Sequence, residues 1–77
     1  MKDDEVRFLV KLARERPKQA ADGPFADAVG ASLGIHPKRV DYLLQKWTDK
    51  GWWNYGVSAR SGWLEPAGIE AAEKLRP

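Results

Sequence analysis

Apolar residues recur along this chain at two different periods, and the change of period divides it. Between residues 3 and 16, Val6, Leu9, Val10 and Ala13 fall at i, i+3, i+4 and i+7, the spacing of one helical face. Phe8 and Leu12 widen that stripe, which suits a helix packed between two neighbours; a surface left for a partner chain is the other reading. Acidic residues open this first helix, and Arg14 and Arg16 close it, each complementing the helix dipole. Pro17 stops it, and Lys18 to Gly23 form a polar connection with room for one or two residues of strand. A second helix begins near Pro24 with Phe25, Ala28, Val29 and Leu33 inward, and a third runs from about Pro37 to Lys50, closed by Gly51. Beyond Gly51 the residues become strand formers. Trp52, Trp53, Tyr55 and Val57, a turn over Ser58 to Gly62, and Trp63-Leu64 predict a β-hairpin across residues 52–65. Pro66 opens a last helix, to about residue 76, whose Ile69, Ala72 and Leu75 share a face expected to pack on the first helix; Gly68 weakens it slightly.

The centre of this pattern is the stretch from residue 26 to residue 45. Gly30 supplies the small side chain that a close helix crossing needs, and Gly34 suits the left-handed turn that follows. His36 and Pro37 then start the next helix, since proline lacks only an N–H that the first turn leaves unpaired anyway. Val29, Leu33, Ile35, Val40, Leu43, Leu44 and Trp47 make the shared interior.

The spacing from Gly30 through Gly34 to Val40 resembles that of helix-turn-helix DNA-binding proteins. Three helices, a hairpin and a closing helix resemble, over nearly the whole chain, the winged helix domains of bacterial and phage regulators. Leu43 to Trp52 is similar to the end of their recognition helix and the entry to the wing, and Leu64 to Ile69 to the passage from wing into the next helix. The family usually has threonine before that proline, where this chain has Glu65, so an N-cap of different chemistry is implied. The expected fold is therefore mainly α with a small β-hairpin: one winged helix-turn-helix domain over residues 1–77, with the helix-turn-helix at about 24–50, the wing at about 52–65 and the closing helix at about 66–76.

With 77 residues the chain has length for one small core. It has no cysteine, which removes disulfides and thiolate metal sites and fits a reducing cytoplasm. Its charged N-terminus lacks a signal-like apolar region and no apolar run approaches membrane-spanning length, so the expectation is a cytoplasmic protein without membrane partners. The net charge is only +2, but residues 36 to 62 hold Lys38, Arg39, Lys46, Lys50 and Arg60 against Asp41 and Asp49. That modest positive focus is compatible with nucleic acid.

The resemblance assigns base reading to the early and middle positions of the third helix, here His36, Lys38, Arg39, Tyr42 and Gln45, with Lys46 on phosphate. Arginine or lysine can donate to guanine O6 and N7, and glutamine matches adenine. Asp41 opposes phosphate unless Lys38 neutralises it or a cytosine amino group meets it. At the wing tip, Ser58, Arg60 and Ser61 would reach the minor groove or the backbone. The bland alternative for both regions is a solvated polar surface.

Four tryptophans are the least ordinary feature, and alternation forbids Trp52 and Trp53 from both facing inward. Trp52 stands where the family usually has a core leucine, leaving Trp53, Tyr55 and Trp63 to cluster across the hairpin's other face, either as cross-strand packing or as a surface for a partner. No cofactor or small-molecule pocket is evident, and the single histidine with no cysteine nominates neither a metal site nor a catalytic pair. The expectation is a non-enzymatic, double-stranded DNA-binding regulator or mobile-element protein that dimerises through the first helix or the hairpin. A protein-interaction module using exposed aromatic residues is the alternative.

Overall fold

The computed structural model describes residues 1–75, built as α1 (Asp3–Glu15), α2 (Ala26–Ser32), α3 (Pro37–Asp49), β1 (Trp53–Asn54), β2 (Trp63–Leu64) and α4 (Pro66–Leu75). Short 3-10 turns occupy Lys18–Ala20 and Ala59–Ser61. The domain is mainly helical, with one two-stranded antiparallel sheet in which Trp53 pairs with Leu64 and Asn54 with Trp63. Residue 76, expected in the closing helix, lies outside the described residues. Among those described, no helix is long and apolar enough to cross a membrane.

The face that α1 turns inward is one residue out of step with the expected stripe. Phe8, Leu9 and Leu12 are fully buried together with Glu5, whereas Val6, Val10 and Ala13 are half-buried. The wide stripe serves two neighbours: Val10 and Ala13 line a cleft together with Ile69 and Ala72 of α4, and the deeper residues enter the core shared with α2 and α3. Phe8 lies 5.4 Å from Trp47 between ring centroids, a tilted aromatic contact that joins α1 to α3.

Helix α2 is shorter than expected. Phe25 is its N-cap, more than half exposed beneath the Arg16 guanidinium, and Ala28 is exposed; Ala26 and Val29 face the core instead. Phe25 precedes the first helical turn, and with Ala26, Val29 and Gly30 on the inward stripe the helical step leaves Ala28 outside. Gly30 sits against Val40 so closely that a Cβ there would overlap the Val40 Cγ2 methyl. Because valine is stiff at χ1, the two helices would have to part. Gly34 follows at φ +74° and lets the Ile35 N–H return to the Gly30 carbonyl at 3.0 Å, closing α2. His36 then caps α3, its Nδ1 accepting from the Lys38 N–H at 3.1 Å.

The hairpin reverses the expected tryptophan assignment. Trp53, not Trp52, is buried, and its Nε1 donates to the Ala59 carbonyl at 2.8 Å. Gly62 makes this possible, since a Cβ there would come within 2.8 Å of that indole nitrogen. Trp52 is half-buried beneath the Lys50 ammonium, 4.8 Å from the ring centroid. Trp63 is also half-buried and donates to Glu65 at 3.0 Å. Pairing is limited to two residues per strand because Tyr55 to Ser58 bend away and Ala59–Ser61 coil. On its other edge, β2 meets the chain leaving α1: the Leu64 N–H donates to the Arg16 carbonyl at 2.7 Å, a parallel bridge at Pro17. Gly68 is more than a weak helix former, because a Cβ there would lie 2.7 Å from the Trp52 carbonyl oxygen and 2.8 Å from Leu64.

Candidate nucleic-acid interface

Helix α3 has one edge committed to the core and one left outside. Val40, Leu43, Leu44 and Trp47 are buried to about 1% exposure or less, so the helix cannot roll without opening the interior. Helical spacing then carries Lys38, Asp41, Tyr42, Gln45 and Asp49 outward, with Arg39 and Lys46 on the flanks. Tyr42 is 58% exposed, and the Arg39 guanidinium lies 5.5 Å from its ring centroid. His36 and Lys38 are exposed at the helix start, although His36 already uses Nδ1 as the cap.

The cations of this surface are mostly paired, which their positions in the sequence did not reveal. Arg39 grips Asp4 through Nε at 3.1 Å and Nη2 at 3.3 Å. Lys46 reaches both oxygens of Glu5, at 2.9 and 3.2 Å, and Trp47 Nε1 donates to the same carboxylate at 3.2 Å. Arg60 holds Asp41 through Nε at 3.1 Å and Nη2 at 3.0 Å. Gln45 donates to Asp49 at 3.0 Å. The acidic N-terminus of α1 therefore neutralises part of the positive focus read from residues 36 to 62, and Asp41 meets Arg60 rather than Lys38. Lys38 has no carboxylate within ion-pair distance among the described residues.

The hairpin differs from the expected reading surface in the same way. Arg60 does not project from a tip; the 3-10 turn, in which Ser58 Oγ accepts from the Arg60 N–H, draws it back beside α3. The far end is Tyr55 to Val57, with Tyr55 38% and Val57 97% exposed. Of the suggested aromatic partner surface only Tyr55 is open, because Trp53 is inside and Trp63 is half-covered. One signal for the paired acids was available: Glu5 stands at i to Phe8, Leu9 and Leu12, on the core stripe, where a carboxylate must find a donor. Nothing comparable marks the Asp41–Arg60 pair, which depends on the path of the hairpin.

Three carboxyls carry the electrostatic consequence. The Arg39 guanidinium holds Asp4 below the ordinary aspartate value, Arg60 does the same for Asp41, and Glu65 is lowered first by the Trp63 indole N–H and then by Asn54 and Lys18. A carboxyl lowered by folding adds stability that is fully present above its unfolded value and is lost as pH falls through its folded one. Thermal midpoints measured on acidification should therefore hold at neutral pH and drop below the ordinary carboxylate range. A variant carrying Asp4→Asn, Asp41→Asn and Glu65→Gln should show a flatter decline, and an equally steep one would mean that these pairs do not matter.

Among the described residues, no three histidine, aspartate or glutamate side chains gather as metal ligands. The arrangement offers a rigid helix with a mixed donor and acceptor face, flanked by a hairpin that brings one arginine alongside. No family model, curated protein or solved structure matches the chain.

Proposed function

We propose that the chain is a winged helix domain that binds duplex DNA, with α3 as the recognition helix in the major groove and the hairpin as a short wing, serving as a small regulator or mobile-element protein. The supporting observation is the division of α3: four core residues fix its orientation while Lys38, Tyr42 and Gln45 stand outside with no role in the interior. Thirteen helical residues are roughly 20 Å long, and a helix enters a major groove about 12 Å wide. Lys38 is free for phosphate or guanine, Gln45 for adenine after leaving Asp49, and Arg39 and Lys46 for phosphate in exchange for Asp4 and Glu5. Each exchange replaces one anion by another, so affinity per module is modest and a dimer on two half-sites is the fitting form.

The test is fluorescence anisotropy with random duplex DNA across a range of salt. Binding should weaken steeply with salt, and the Lys38→Ala, Arg39→Ala double variant should lose tenfold or more in affinity and reduce the slope by about one or two. Absence of wild-type binding at low salt would sink the proposal. The open Tyr55 and Val57 at the hairpin end favour a second reading, a protein partner; Tyr55→Ala, Val57→Ser would then abolish that complex while leaving DNA binding intact.

A further inference from the structure

The Asp41–Arg60 pair has a geometry that ordinary charge neutralisation does not require. A guanidinium carries five N–H groups, and a carboxylate or a base can take two parallel ones from either its side or its end. Asp41 takes the side, Nε with one hydrogen of Nη2. The end, formed by Nη1 and the remaining Nη2 hydrogen, has no acceptor among the described residues. Arg60 is 46% exposed in its side chain, so this end is open.

Its support is unusually complete for a hairpin residue. Ser58 Oγ accepts from its N–H at 3.3 Å, Ser61 Oγ donates back to the Ser58 carbonyl at 3.0 Å, and buried Trp53 anchors the Ala59 carbonyl. Asp41 then fixes the side chain from α3, one turn after Lys38 and beside exposed Tyr42. Asp27 adds a second negative charge near the guanidinium. Negative groups there oppose a fully charged phosphate more strongly than the neutral edge of a base, which favours a base contact over a backbone one. Arg39 has a similar side-on partner in Asp4, but its side chain is only 26% exposed and lies against Tyr42.

We propose that Arg60 selects a guanine in the bound duplex, donating from its free end to O6 and N7, and that Asp41 is its positioning residue. This inference rests on the DNA-binding reading above. A preorganised arginine loses less side-chain freedom on contact, and lysine cannot reproduce the two parallel donors.

The experiment is selection from a duplex library with a randomised centre, followed by affinity measurements on the selected duplex, on the same duplex with the chosen guanine changed, and on random duplex. The wild type should enrich one guanine per site. Arg60→Lys should lower discrimination at that position by roughly tenfold or more, a larger loss than it causes on random duplex. Asp41→Asn should also lower that discrimination while raising affinity for random duplex, because a negative charge is gone and the side chain is no longer held. Circular dichroism melts would check that both variants fold, as an exposed pair contributes little stability. Wild-type binding with the same guanine preference in both variants would overturn this proposal alone, as would binding with no guanine enriched. No wild-type binding to any duplex would overturn it together with the reading beneath it.

Discussion

Replacing Arg16 by methionine should lower the unfolding free energy by about 3 kcal/mol, read by urea denaturation with tryptophan fluorescence. Arg16 is 3% exposed, and its guanidinium donates to three backbone carbonyls: Gly62 at 2.9 Å, Gly23 at 2.8 Å and Ser61 at 3.0 Å. Each bond from a charged donor is worth roughly 1.5 to 3 kcal/mol, but the three share one side chain and do not add. Methionine keeps the apolar stem and leaves those carbonyls without their donor. For a domain of this size the loss corresponds to a fall in melting temperature of roughly 15 °C. Arg16→Lys should recover only part of it, because an ammonium cannot fork toward carbonyls on both sides. Full stability in the methionine variant would show that water satisfies the carbonyls equally well.

The second large effect is expected at Glu5. Its carboxylate is 2% exposed and serves two donors, the Lys46 ammonium and the Trp47 indole. Glu5→Ala should lower stability by about 2 kcal/mol, mainly by leaving the buried Trp47 N–H without an acceptor, since Lys46 is one-third exposed and can turn to water. The same change releases a cation on the flank of α3. Affinity for random duplex should therefore rise while stability falls, an opposition that general damage to the fold would not produce. A variant that is destabilised and also binds DNA more weakly would refute the idea that Glu5 competes with phosphate for Lys46. Measuring affinity well below the melting temperature separates the two effects.

What could be read from the residues alone follows from the range of the interactions. Gly30, Gly34, His36 and Pro37 act on neighbours a few positions away or on the next helix, and their roles were visible from spacing. The order of four helices and one hairpin was likewise readable, because periodicity distinguishes helix from strand even where, as in α1 and α2, the buried face is displaced from the expected one. Glu5 does stand in the first turn of α1 and Arg16 just past its last, but the helix dipole is the smaller part of what either residue does. Both stand on the core stripe with Leu9 and Leu12, and except for Gly23 their side-chain partners arrive from residues more than forty positions later. The tryptophan reversal has a related cause: alternation says that one of Trp52 and Trp53 is inside, but the choice is made by Leu64 opposite and by the space over Gly62. Gly68 was undervalued because the Trp52 carbonyl that crowds it belongs to another element. At the candidate interface, exposure of α3 was foreseeable, whereas the pairing of Arg39, Lys46 and Arg60 required the folded chain.

The parallel bridge between Pro17 and Leu64 also closes a long loop of chain. Helices α2 and α3 meet across a short turn and can pair while the rest of the chain is still loose. The seam at Arg16, Gly62 and Leu64 encloses the whole of that pair within one long loop. Closing such a loop is opposed by chain entropy until enough contacts form together. The end of the first helix is thus tied to β2 by that closure, whereas its start is held directly on α3 through Asp4, Glu5 and Phe8.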